Sequence, residues 1–115
     1  MQLLEQAAIF RKAAMLIKKG FTKGSFARNA EQEAVTPHNP SACSFCTMGA
    51  IRNASGFHPA TPLLNYAESE LQRTNKEATG FIAGWNDAPD RTKEEVVGFL
   101  RNCAKRLQKQ AKQAL

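Results

Sequence analysis

At 115 residues, 43% hydrophobic and 23% charged, the chain has the size and composition of one globular domain spanning 1–115, which excludes a disordered or fibrous class. Such a chain buries roughly 65% of its unfolded surface, enough to fold without a metal or disulfides. The net charge of +6 and pI of about 9.6 favour acidic partners in general terms, and no window is apolar for long enough to cross a membrane.

The first twenty residues lack the basic start of a secretion signal, and Arg11-Lys12 interrupts their apolar run. Three cysteines, an odd number, then point to reduced thiols in the cytoplasm. Residues 3–19 carry the helical period. Leu3, Ala7, Phe10, Ala14 and Ile17 make one stripe, and Leu4, Ala8 and Met15 a second about 120° away. This girth predicts a central helix packed on two sides, with Lys18-Lys19 suiting its negative end and Gly20 its left-handed stop.

The period disappears from Phe21 to Pro40, where Gly24, Asn29, Pro37 and Pro40 punctuate the chain. Residues 25–28 and 34–36 are expected to form a short β-hairpin around Glu31-Gln32, or else an ordered loop. Asn39-Pro40 has the form of a cap followed by a first-turn proline, predicting a helix from Pro40 to about Ala54 that stops at Gly56. Within it Gly49-Ala50 would let another helix approach closely. Thr61-Pro62 repeats the cap signal and starts a helix through Leu63, Leu64, Ala67 and Leu71, whose apolar pattern gives no support beyond about residue 77, with Gly80 as its stop. Phe81, Ile82 and Trp85 suggest one further helical turn.

Trp85-Asn86-Asp87-Ala88-Pro89-Asp90-Arg91-Thr92 holds the only tryptophan and a polar turn. We expect Trp85 to anchor this loop in the core, and Asn86 and Asp87 to bond their own backbone. Thr92 and Glu95 have capping-box spacing, opening a last helix with Val96, Leu100, Cys103, Leu107 and Ala111 on one stripe and a frayed tail from about residue 108. The predicted fold is therefore α-dominant: a compact bundle of about four main helices, with a short β-hairpin or ordered loop after the first.

Chemistry is sparse in this sequence. His38, Cys43, Cys46 and His58 are residue types that zinc accepts, spaced H-x4-C-x2-C-x11-H. A fifteen-residue helix between them would span about 22 Å, too far for one tetrahedral site. The reading is therefore no metal and no cofactor, with buried thiols and surface imidazoles instead. Cys43-Ser44-Phe45-Cys46 lacks the preceding strand of a parallel α/β unit that a redox pair of this spacing needs. Asn86, Asp87 and Asp90 lack the alternating ligands of a calcium loop. No catalytic set can be assembled, so an enzyme is not expected.

Charge is the one concentrated signal. Arg101, Lys105, Lys109 and Lys112 align opposite the apolar stripe of the last helix, Arg106 stands to one side, and no acidic residue follows Glu95. These five are the candidate contacts to an acidic partner or to phosphate.

Three segments carry a resemblance: Phe21-Thr22-Lys23-Gly24-Ser25-Phe26-Ala27-Arg28-Asn29-Ala30, Phe45-Cys46-Thr47-Met48-Gly49-Ala50-Ile51, and Ile82 to Thr92 with Glu95-Val96. In this order, over roughly residues 7–105, the chain resembles an uncharacterised family of small proteins from actinobacteria, proteobacteria, phages and prophages. Its motifs are (W/F)C-x-x-GA and (W/F)ND-x-P-x-RT-x-x-EV. The family implies no activity, cofactor or catalytic residue. Its members match at Cys46 but usually carry other residues where His38, Cys43 and His58 stand, which implies packing as the role of Cys46. Gly49, Trp85, Asn86, Asp87, Thr92 and Glu95 are expected to be structural like it. The phage setting implies an accessory protein that modulates host machinery, for example a defence-system inhibitor.

The expectation is thus a small, cytoplasmic, non-catalytic interaction protein that binds a host protein complex and no membrane. The alternative is a nucleic-acid-binding protein using the basic helix face. The broad first helix also leaves room for a homodimer.

Overall fold

The computed structural model of the chain describes residues 1–75 and 81–114. Its elements are α1 (Leu3–Lys19), β1 (Ala27–Arg28), β2 (Ala34–Val35), β3 (Ser44–Phe45), α2 (Thr47–Ser55), α3 (Thr61–Thr74), α4 (Ile82–Asp87) and α5 (Lys93–Gln113). Among the described residues, four main helices and one short one thus accompany a small sheet, and the fold is the expected α-dominant bundle.

Helix α1 is central, packed chiefly against α5 and secondarily against α2. Its buried residues are Ala7, Phe10, Ala13, Ala14 and Ile17. The second face is not the one predicted. Leu4 and Met15 are 58% and 57% exposed, and Ala13 with half-buried Ile9 and Leu16 takes their place. Alanines at 7, 13 and 14 bring the α5 and α2 backbones close, so a narrow band of α1 serves both neighbours. Gly20 ends this helix in extended backbone (φ −167°, ψ 123°), not in the left-handed stop expected. Glycine is needed there because a Cβ would overlap the Cys43 carbonyl.

The expected hairpin forms, with Ala27 opposite Val35 and Arg28 opposite Ala34. Asn29 shapes its turn by accepting the Glu31 and Glu33 amides on its side-chain oxygen, and Gln32 takes a left-handed φ of 67°. A third strand was not foreseen. Ser44–Phe45 pairs antiparallel to the other edge of β1, giving the order β2-β1-β3.

That pairing corrects the helix predicted from Pro40, since α2 begins only at Thr47. The local signal at Asn39 is real, but its carboxamide oxygen closes a turn by accepting the amide and hydroxyl of Ser41. Beyond it, the Cys43, Phe45 and Cys46 amides donate to the Arg28, Gly20 and Phe26 carbonyls. Pairing leaves Phe45 4% exposed. Ala-Cys-Ser-Phe-Cys is mostly weak helix formers, so burying the phenyl ring and pairing both strand edges outweighs a first helical turn.

Helix α2 ends as expected at Gly56, which is left-handed at φ 60°. Helix α3 starts one residue earlier than predicted, at the expected cap Thr61 itself with Ala60 as N-cap, and ends at Thr74. The possible continuation of this helix to residue 77 and the stop at Gly80 fall outside the described residues. The Thr92–Glu95 capping box is present in both directions, and α5 runs on through 21 residues.

Candidate functional site

Two surfaces of different character emerge. The first is the outer face of α5. Val96, Leu100, Cys103, Ala104 and Leu107 are buried along its inner side, largely against α1. Sequence periodicity then forces Arg101, Lys105, Lys109 and Lys112 outward, and all four are exposed. Among the described residues none of these four forms an ion pair.

Arg106 is different. Its guanidinium pairs with Glu70 of α3 at 3.0 Å, while Arg73 pairs with the other oxygen of the same carboxylate at 2.8 Å. Sequence reasoning missed Glu70, which is only 8% exposed although it lies on a helix whose inner side is apolar. The signal available was the i, i+3 spacing to Arg73. Two arginines on one carboxylate leave this notch between α3 and α5 net positive, with Lys105 and Lys109 at its border. At its floor, burial and then the nearby Glu70 charge push the Cys103 thiol up to about 12, so it stays protonated.

The second surface is built around Asn86, on the last turn of α4 and 1% exposed. Its side-chain oxygen accepts the Thr47 amide at 2.9 Å and the Thr47 hydroxyl at 2.6 Å. Its NH2 donates to the Thr22 carbonyl and to Asp87. Asn86 therefore ties two distant segments to α4, where self-contained turn chemistry was expected. Asp87 likewise reaches out, its Oδ1 accepting the Gly24 amide at 3.1 Å.

Trp85 is half-buried rather than set in the core. Its ring packs on Phe99 at 5.1 Å between centroids and lies under the Arg91 guanidinium at 4.3 Å. Arg91 also donates to the Trp85 carbonyl and pairs with Glu95. The buried anchor of α4 is Ile82. Glu95 has its carboxyl held below the usual range, first by the hydrogen bond from the Thr92 backbone N–H.

Cys46 is the N-cap of α2, its sulfur accepting the Gly49 amide at 3.3 Å, and burial raises its thiol pKa. Gly49 permits a close approach as predicted, but by a strand segment and not a helix, since a Cβ there would overlap the Phe26 carbonyl. His38, Cys43 and His58 are exposed. Because α2 starts at Thr47, the 22 Å separation argued for a longer helix does not apply. His38 and His58 in fact line one depression of about 520 Å³ together with Arg52. Neither cysteine lines it, and no group of three or more His, Cys, Asp or Glu placed to hold a metal ion occurs among the described residues.

Beside Asn86 a cavity of about 710 Å³ opens between the hairpin, the start of α2 and one side of α4. Phe26, Val35, Pro37 and Met48 supply apolar walls, and Asp87 stands among the lining residues. Among the described residues no helix is long and apolar enough to cross a membrane. No curated protein and no solved structure matches this chain. The chain belongs to DUF6197, a family of unknown function, which matches residues 1–106.

Proposed function

We propose that the protein is a non-catalytic interaction module of the cytoplasm that docks on an acidic surface of a host protein complex through the outer face of α5. The observation that carries this reading is the row Arg101, Lys105, Lys109 and Lys112, exposed and without ion pairs among the described residues. Along a helix these charges advance by about 6 Å per four residues, a spacing that presents them together to one partner. Both buried thiols are held protonated and the Cys46 sulfur is occupied by a helix amide, which supports a structural and not a catalytic use of cysteine. The resemblance to phage and prophage proteins supports the narrower reading of an accessory protein that inhibits or redirects its target.

Capture from a lysate of the natural host, with nuclease present throughout, tests the proposal. A stoichiometric protein retained by the native chain and lost on Lys105→Glu/Lys109→Glu is the expected result. No retained protein, or retention indifferent to the double reversal, overturns it. Phosphate is the alternative acidic partner, favoured by the positive notch around Arg73 and Arg106 that adjoins the same face. Nucleic acid recovered only without nuclease, with a log–log salt slope of about −0.9 per phosphate contacted, would establish that reading instead.

A further inference from the structure

The lining of the cavity beside Asn86 differs in composition from the basic surface of the chain. In a protein of net charge +6, no Lys, Arg or His lines it among the described residues, and Asp87 is the one carboxylate among them that does. The other ionisable group in its wall, the Cys46 thiol, is kept neutral by burial. We propose that this cavity is a binding site for a small organic cation. Its apolar body sits against Phe26, Val35 and Met48, and its ammonium head meets Asp87.

The geometry prepares the carboxylate for that task. Oδ1 is held by the Gly24 amide at 3.1 Å and the Asn86 NH2 at 3.0 Å. Asn86 is itself fixed by Thr47 and Thr22, so Asp87 is aimed before any ligand arrives. Oδ2 accepts no hydrogen bond from the described residues and is free to take one from an ammonium. The basic groups around the cavity are engaged elsewhere: Lys23 has its ammonium on the Ala88 carbonyl at 2.7 Å and the Pro89 carbonyl at 3.3 Å, Arg28 donates to the Thr22 hydroxyl and to the Gln32 and Lys23 carbonyls, and Arg52 lies over the Phe26 ring at 5.4 Å.

A preset acceptor in a largely apolar cavity favours a cation because the charge-assisted bond forms without reorganisation. A neutral ligand with the same body removes water from Asp87 and returns no charge. An anion adds repulsion. At about 710 Å³ the volume is within the range of small-molecule sites.

The test is a backbone-amide NMR titration of the isotopically labelled full chain with three probes of one shape: 4-phenylbutylamine, 4-phenylbutanol and 4-phenylbutyrate. The amine should saturate with shifts at Gly24, Ser25, Phe26 and Asp87, and bind about tenfold tighter than the alcohol, with the acid not binding at these residues. Asp87→Asn keeps an acceptor for the Gly24 amide and should erase the amine's advantage while leaving alcohol binding unchanged. Ala83→Trp, from an exposed position in the cavity wall, should block both. The proposal is overturned if alcohol or acid binds there as tightly as the amine, if the preference survives Asp87→Asn, or if the amine shifts only residues elsewhere or none.

Discussion

Along α1 and α5 the contact is made by apolar side chains recurring every three or four residues, and every buried residue of either helix in that contact is hydrophobic. The corner where the hairpin meets α2 and α4 is built otherwise. One buried carboxamide, one sulfur cap and one glycine under a carbonyl hold four short segments together there. Distributed apolar contact degrades gradually when a group is removed. A polar clamp has few members, and losing one leaves the others buried without partners. The long helix pair is therefore a robust platform for the charged face, and the corner is a specific but fragile cavity wall.

The largest expected effect sharpens the first half of that contrast. Phe10 is fully buried against Tyr66 and the α1–α5 seam, so Phe10→Ala should cost about 4 kcal/mol and lower the melting temperature by about 20 °C. Urea unfolding measures it. A loss under about 1 kcal/mol would mean that the helix pair does not carry the stability assigned to it.

Asn86→Ala probes the second half. It strips the Thr47 amide and the Thr22 carbonyl of their partner, at about 2–3 kcal/mol in all. Native-state hydrogen exchange should show the loss concentrated at residues 22–28 and 44–49, with α1 and α5 amides slowed nearly as in the native chain. Equal loosening of α1 and α5 would erase the distinction between the two regions.

How readable each region was follows from the same difference. The α1 and α5 spans and the capping box rest on residues within one or two turns of each other, so periodicity and spacing reveal them. At residues 40–46 the local signal, Asn39-Pro40, was honest but outbid by pairing with β1, whose residues lie 16 or more positions earlier. Asn86 read as a turn residue because nothing local tells that its main partner stands 39 residues away. The exposure of Leu4 and Met15 was hidden for another reason: three alanines make a face narrow enough for two neighbours, and alanine gives little periodic signal. Of the candidate sites, the basic face was legible as charge opposite an apolar stripe. The cavity was not, since its walls come from separate segments that only the fold assembles.

The capping box lies on the robust side and should give a small, purely local effect. Thr92→Ala removes the hydroxyl that accepts the Glu95 amide and should cost about 1 kcal/mol. Glu95 adds a pH signature of known sign. Its folded-state pKa is lowered, chiefly by the Thr92 backbone N–H, so its contribution is present above the unfolded value of about 4.3 and lost as pH falls through the folded one. The native chain should therefore exceed Glu95→Gln in stability at neutral pH, and the gap should close in the acid window below about pH 4. A gap that widens on acidification would show that the carboxylate is not what the helix start binds.

The smallest effect belongs to the corner and should be favourable. Gln32 holds a left-handed φ of 67° without the tolerance that glycine or asparagine has there, fixed by its amide bonding the Asn29 carbonyl. Glycine would remove the steric cost of that conformation but add freedom to the unfolded chain, so the two terms partly cancel. Asparagine tolerates the left-handed region with no such added freedom. Gln32→Asn should thus stabilise by about 0.5 kcal/mol, and Gln32→Gly by less. Because the strain is confined to the hairpin turn, the gain should appear in the opening energy of the residue 27–35 amides before it appears in global unfolding. If both substitutions destabilise, the Gln32 side chain supports the turn by a contact worth more than its backbone strain.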